Sequence, residues 1–455
     1  MTNYKLIGGI AFGIGCVGGC GDGGATTASA GESSGQSSAT TVSTGETTGD
    51  SAPTSTTAAS MSASASTADT TGTSGVTNVS ATNDDSAEDA TFDVGLVPDA
   101  PMQPCTMGKG GGGDEPEFSF LWAANASQGT ITKIDTQTVT EVGRYIVRPD
   151  SIGSPSRTSV NLDGDVAVAN RSGGVTKIYA LEDRCNESNG QPGIQTSDSN
   201  AALPWGEEEC VAWYSPFAYA SQRPVAWTQG EFDLNTCSYI DSMLWTSGTN
   251  ASTDVLLLDG EDGAVVDMVT LQGYPQDFYG IYGGAVDGEG NFWGTKLGGV
   301  MLVRVGIDDM AVTMWPVPTS SYGMTVDSEG YVWACSSNFG RFDPETETWA
   351  QGNGGGYAGC MAERGEDGLL WMAGGASIIG IDRATLMPVA NLPVPSAYGV
   401  SIDYYGYVWT VGQAAHRVDK ETMEVTSYNG LTGPYTYSDM TGYALTYAGG
   451  GGPSG

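Results

Sequence analysis

One frame recurs along this chain, and it restricts the fold more than any other feature. Residues 322–336 read YGMTVDSEGYVWACS, and residues 398–412 read YGVSIDYYGYVWTVG. The shared frame is Tyr-Gly, three residues, Asp, two residues, Gly, two residues, Trp. A third copy runs over 282–293 and a looser fourth over 357–371. The tryptophans Trp293, Trp333, Trp371 and Trp409 stand 40, 38 and 38 residues apart. A repeat of that length means one supersecondary unit used again and again, each unit burying its face against the next.

The frame reads as strand, turn, strand. Residues 322–326 are short and apolar. Asp327 to Gly330 is a tight turn, in which the Asp side chain bonds backbone amides two residues on and Gly supplies positive φ. Tyr331 to Trp333 is aromatic and β-branched, as strands are. Two further strands follow, over 340–343 and from Thr348. Four strands per period of about 40 residues predict a blade of a β-propeller. Weaker copies around Trp122, Ala167 and Trp245 bring the count of second strands to seven. The expected class is therefore all-β, a seven-bladed β-propeller spanning 105–455. Blade one lacks an inner strand, because the residues before Phe118 are Gly-rich. The orphan segment 437–445 is expected to supply it and so close the ring with a C-terminal strand, removing a sheet edge.

The chain ahead of the propeller carries an address rather than a fold. Residues 1–20 resemble a bacterial lipoprotein signal: Lys5, a short apolar run over 6–15, and Val17-Gly-Gly-Cys20, in which Cys20 would be acylated. The run is too short to span a bilayer. Residues 21–104 form a linker, Ser-, Thr-, Ala- and Gly-rich, expected to be disordered because it has little apolar surface to bury. The expected location is the bacterial cell envelope, as an outer-membrane or cell-surface lipoprotein held to the membrane by its lipid. The charge is consistent with this: 17 Lys and Arg against 53 Asp and Glu give a net −36, which repels nucleic acid.

Cysteines and an insertion follow from that address. Six cysteines remain after Cys16 and Cys20, an even number that suggests disulfides in an exported protein. Cys335 and Cys360 fall on adjacent blades and are expected to pair. Cys185 with Cys210 would staple an insertion at about 180–222, and Cys105 with Cys237 is the remainder. Within the insertion, Glu187, Asn189, Gln191, Gly193 and Asp198 sit at the spacing of an EF-hand-type calcium loop, which makes Ca2+ the one candidate cofactor. Pro192 stands where such loops need Gly, and Asp198 where they need a bidentate Glu. The segment is therefore read as a disulfide-stapled loop without metal, with the calcium loop as the alternative.

Propellers bind ligands at the channel mouth where the inner strands begin. Tyr282, Tyr322, Tyr357, Tyr398 and Tyr437 occupy that level, and blades two and three place Arg157 and Arg223 there. Two arginines among tyrosines would suit a carboxylate, sulfate or sugar acid. Alternatively each arginine pairs with an acid such as Asp439 and the tyrosines pack the channel. His416, the one histidine, is expected at the start of a third strand, away from the channel.

The repeated V-D-x-x-G-x-x-W pattern over residues 118–447 resembles the blades of virginiamycin B lyase and of NHL-type and SMP-30-like propellers. The resemblance implies the propeller fold. The lyase family's elimination chemistry uses histidine bases beside a glutamate and magnesium, and no position here matches that set, so no catalytic residue carries over. Two classes of function are then expected: a surface-tethered, non-catalytic propeller that binds a glycan, peptide or protein, or else an extracytoplasmic lyase or lactone hydrolase with a metal in the channel. The scarcity of acids on the inner strands favours the first.

Overall fold

The computed structural model describes residues 119–448 except residue 234. Cys20, the lipoprotein signal and the linker lie outside the described residues. The described chain is a seven-bladed propeller. Blades two to seven each hold four antiparallel strands, and blade one holds three. Blade five shows the pattern: Gly323–Val326, Val332–Cys335, Asn338–Asp343 and Thr348–Asn353, from the channel outward.

The repeated frame folds as one hydrogen-bonded unit. In blade seven, Asp403 Oδ1 accepts the amides of Tyr405 and Tyr407 at 2.9 and 3.0 Å, and Oδ2 accepts the indole N–H of Trp409 at 2.7 Å. Asp327 repeats this with Glu329, Tyr331 and Trp333, and Asp287 with Glu289, Asn291 and Trp293. The Gly of each turn has positive φ, +82° at Gly406, which L side chains adopt poorly. Aspartate is needed because one carboxylate must cap the turn and also satisfy a buried indole. Blade two has Ala167 in place of Trp, and there Asn161 caps the turn alone, accepting from Asp163 and Asp165. Blade six has Glu363, whose longer arm reaches the amide of Leu369 and the ammonium of Lys420. The indole N–H of Trp371 is left buried without a partner among the described residues.

Apolar clusters lie between blades rather than within them. Val332, Ala334 and Phe342 of blade five pack on Trp293 and Leu302 of blade four. Cys335 and Cys360 form the expected disulfide between blades five and six, and Cys185 and Cys210 form the second. Cys237 is also disulfide-bonded, and its expected partner, Cys105, lies outside the described residues.

The ring closes as expected in place but not in form. The segment running up to Met440 lies along the first strand of blade one, Phe120–Asn125. Trp122 N–H donates to Met440 O at 2.8 Å, Tyr435 N–H to Ala124 O at 3.0 Å, and Asn125 bridges Pro434. This is an irregular clasp, not a regular strand over 437–445. Pro434 has no N–H to give, and Asp439 Oδ1 turns the chain by accepting the amides of Thr441 and Gly442. Leu445–Ala448 is a single helical turn. Leu445 and Asp439 line a cavity of about 40 Å3 at this end of the channel.

The insertion is shorter than expected. Val211–Ser215 is the outer strand of blade two and Ser221–Trp227 the inner strand of blade three. The extra chain therefore lies over 179–210, with a small hairpin, Glu231–Asp233 and Ser238–Ile240, inserted in blade three. Sequence spacing alone could not divide one excess between two places.

Candidate functional site

Inner strands bring their first residues together at one end of the ring. Three successive inner strands carry register breaks there: between Pro155 and Arg157, between Gln222 and Val225, and between Ile281 and Gly283. Bulges redirect side chains and free backbone groups. The freed carbonyl of Tyr282 accepts Nε and Nη2 of Arg157 at 3.2 and 3.0 Å.

Around it the tyrosines converge. The hydroxyls of Tyr282 and Tyr435 lie 2.8 Å apart, those of Tyr322 and Tyr435 2.7 Å, and Tyr282 donates to Tyr322 at 3.2 Å. Tyr322 and Tyr398 also share a hydrogen bond. Tyr437 packs on Tyr282, Tyr322 and Tyr398, with ring centroids 4.9 to 5.9 Å apart. The guanidinium of Arg157 lies 3.2 Å from the ring centre of Tyr437 and 4.7 Å from that of Tyr282. Arg223 lies over Tyr279 and Tyr282 at 4.7 and 4.9 Å. Of the expected site residues, Arg157, Arg223, Tyr282, Tyr322, Tyr398 and Tyr437 meet in one cluster. Tyr357 stands at its rim, 46% exposed, its hydroxyl donating to Ala397 O.

Three members were not anticipated. Tyr435 sits at the centre of the phenol network, Tyr279 stacks on Arg223, and Arg171 lies over Tyr435 at 4.8 Å. Tyr435 was legible: it is two residues before Tyr437, so an extended clasp turns both to the same side. Arg171 follows a second strand and carried no such signal.

Burial governs the electrostatics. Desolvation lowers the guanidinium of Arg157 to about 9, tyrosine oxygens oppose the shift, and the neighbouring Arg223 adds to it. Arg223 is lowered for the same first reason. Burial raises the phenols of Tyr282, Tyr322 and Tyr398. Tyr435 is the exception: burial acts to raise it, but bonds from Tyr282 and Tyr322 and the charge of Arg157 leave it lowered. The alternative that acids neutralise the arginines fails for Asp439, whose carboxylate serves the clasp amides and is pushed up to about 6 by burial.

The candidate calcium loop is held by its own backbone. Glu187 Oε1 accepts the amides of Asn189 and Gly190, and Asn189 Oδ1 that of Gln191. The loop closes instead on Glu209, whose carboxylate accepts the amides of Ser188, Asn189 and Gln195. The oxygens of Glu187, Asn189 and Glu209 are thus engaged by loop amides. Gly193 has positive φ and its carbonyl accepts Gln195 Nε2 at 2.7 Å, and Asp198 is exposed. Among the described residues no group of three acids, histidines or cysteines could hold a metal. His416 lies on the third strand of blade seven, Ala415–Val418, buried between the hydroxyls of Ser427 and Ser396.

No protein-family profile and no curated protein matches the chain. Solved structures do. Virginiamycin B lyase from Staphylococcus aureus is 17% identical with a TM-score of 0.41, covering 60% of this chain and 83% of that one. A streptogramin B lyase is 15% identical with a TM-score of 0.41, covering 63% and 87%. A dihydro-haem d1 dehydrogenase is 12% identical with a TM-score of 0.46, covering 68% and 62%. At such identities the likeness concerns the ring of blades, the architecture expected from the repeat.

Proposed function

We propose that this chain is an envelope-tethered binding propeller whose ligand sits on the tyrosine–arginine end of the ring. The observation that carries this reading is the composition of that end. It offers aromatic faces and guanidinium groups, with part-exposed phenols of Tyr322, Tyr398 and Tyr435. Its rim exposes Phe278 at 64% and Tyr357 at 46%. Aromatic faces beside fixed hydroxyls suit stacking and hydrogen bonding to sugar rings, so a glycan is the favoured ligand over a peptide or protein. His416 lies on the third strand of blade seven, away from this end, so it does not serve as a general base here. In this reading Cys20 carries the lipid and residues 21–104 form the tether.

A glycan array probed with the lipid-free propeller tests binding. Specific retention that is lost in Tyr398→Ala supports the reading. Turnover of a retained sugar or lactone, in place of simple retention, refutes it. Membrane fractionation of a Cys20→Ser variant tests the tether, with release from membranes as the expected result.

A further inference from the structure

The charges at the tyrosine end do not balance. Arg157 and Arg223 are 0% and 5% exposed, and each keeps its Nη1 without a hydrogen-bond partner among the described residues. Arg171 stands on the same cluster through Tyr435. Ion pairs among the described residues engage Arg144, Arg148, Arg184, Arg304 and Arg383 but none of these three. This occurs in a chain with three times as many acids as bases, 53 against 17. Arg157 and Arg223 also oppose each other's charge. Aromatic faces, the carbonyl of Tyr282 on Arg157, the hydroxyl of Ser221 on Arg223 and that of Ser154 on Arg171 offset part of the burial, but none carries a full negative charge. Buried donors without partners are uncommon and ask for a specific explanation. An anion from outside the chain supplies one.

Resting on the binding reading above, we infer that the mouth takes a ligand bearing one carboxylate on a sugar body. Arg171, half-buried, is the guanidinium an incoming carboxylate reaches. The phenols of Tyr322, Tyr398 and Tyr435 rotate their O–H groups toward it. Arg157 and Arg223 hold the positive potential beneath. One acidic group is specified because the net charge of −36 repels a polyanion at long range. Salt screens that repulsion over a Debye length of about 8 Å at 0.15 M and weakens enclosed contacts far less. Moderate salt therefore speeds association, the reverse of the effect at a basic surface.

The experiment titrates the full-length protein with a glucuronide-terminated disaccharide and with its methyl ester, which keeps the sugar and removes the charge. The acid is expected to bind about 10- to 100-fold more tightly than the ester. Arg171→Gln is expected to remove most of that difference between acid and ester, with circular dichroism checking that the propeller remains folded. Arg157→Lys, which keeps the charge but loses the fork, gives a second reading at a more buried position. Raising salt from 20 to about 150 mM is expected to increase the association rate of the acid. Equal binding of acid and ester, unaffected by Arg171→Gln, overturns the carboxylate inference and leaves the binding propeller standing. Failure of both probes together with a blank glycan array overturns both.

Discussion

Two tryptophans at equivalent positions allow one hydrogen bond to be weighed. Trp409 in blade seven and Trp371 in blade six are 0% and 2% exposed on the second strand of their blades. The indole of Trp409 donates to Asp403 at 2.7 Å, while that of Trp371 has no partner among the described residues. Replacing either by Phe removes similar ring volume, so the packing loss is similar, about 1–3 kcal/mol. The polar losses differ in sign. Trp409→Phe removes a bond to a buried carboxylate, worth about 1.5–3 kcal/mol, whereas Trp371→Phe removes a buried donor that was already unsatisfied. The first variant is expected to lose at least about 2 kcal/mol more than the second, roughly thirtyfold in the unfolding equilibrium. Urea denaturation followed by tryptophan fluorescence and circular dichroism reads the difference. pH gives a second reading. Burial pushes the Asp403 carboxyl up to about 6, above its unfolded value, so its ionisation opposes folding as pH rises through 6. The indole bond relieves part of that opposition and favours the ionised form. The extra penalty of Trp409→Phe should therefore be larger at pH 8 than at pH 5, and that of Trp371→Phe should not change. Equal losses in the two variants at pH 8 would refute this account of the blade unit.

Three further outcomes are expected. Truncation before Thr432 removes the clasp from Phe120–Asn125, and size-exclusion chromatography should then show aggregation or a large loss of thermal stability. Paired Cys335→Ala and Cys360→Ala should lower unfolding stability by about 2–4 kcal/mol, whereas Cys185→Ser with Cys210→Ser should mainly speed proteolytic cutting within 179–210. Burial lowers the pKa of His416, so the stability it gives is present above its unfolded value of about 6.5 and lost as pH falls below it. The wild-type urea midpoint should therefore drop more between pH 8 and 5 than that of His416→Gln.

Fold and site were legible in the sequence to different depths. The blade was readable because its turn carries a chemical reason in one dimension: an Asp to cap, a Gly for positive φ and a Trp six residues on. The disulfide between Cys335 and Cys360 followed from that register. The clasp was readable as an unpaired segment, but not its irregular course, because Pro434 and the turn at Asp439 act only against a neighbouring strand. The tyrosines were found through the repeat. Arg171 and Tyr279 were not, because they come from loops that the ring brings to the mouth. The insertion loop was only partly legible for a related reason. Spacing placed its oxygens, but Glu209, distant in sequence, decided what the loop closes around.

The clasp also sets an order of assembly. Asn125 is made early and Met440 late, with roughly three hundred residues between them. At about 5–20 residues per second, synthesis of that interval takes from some fifteen seconds to a minute. Throughout it the first strand of blade one presents the bare edge that the clasp later covers. Six blades can form in turn behind it, each supported by the one before, yet the circle cannot shut until the final stretch arrives. Until then the open ring is the species most exposed to edge-to-edge pairing and aggregation.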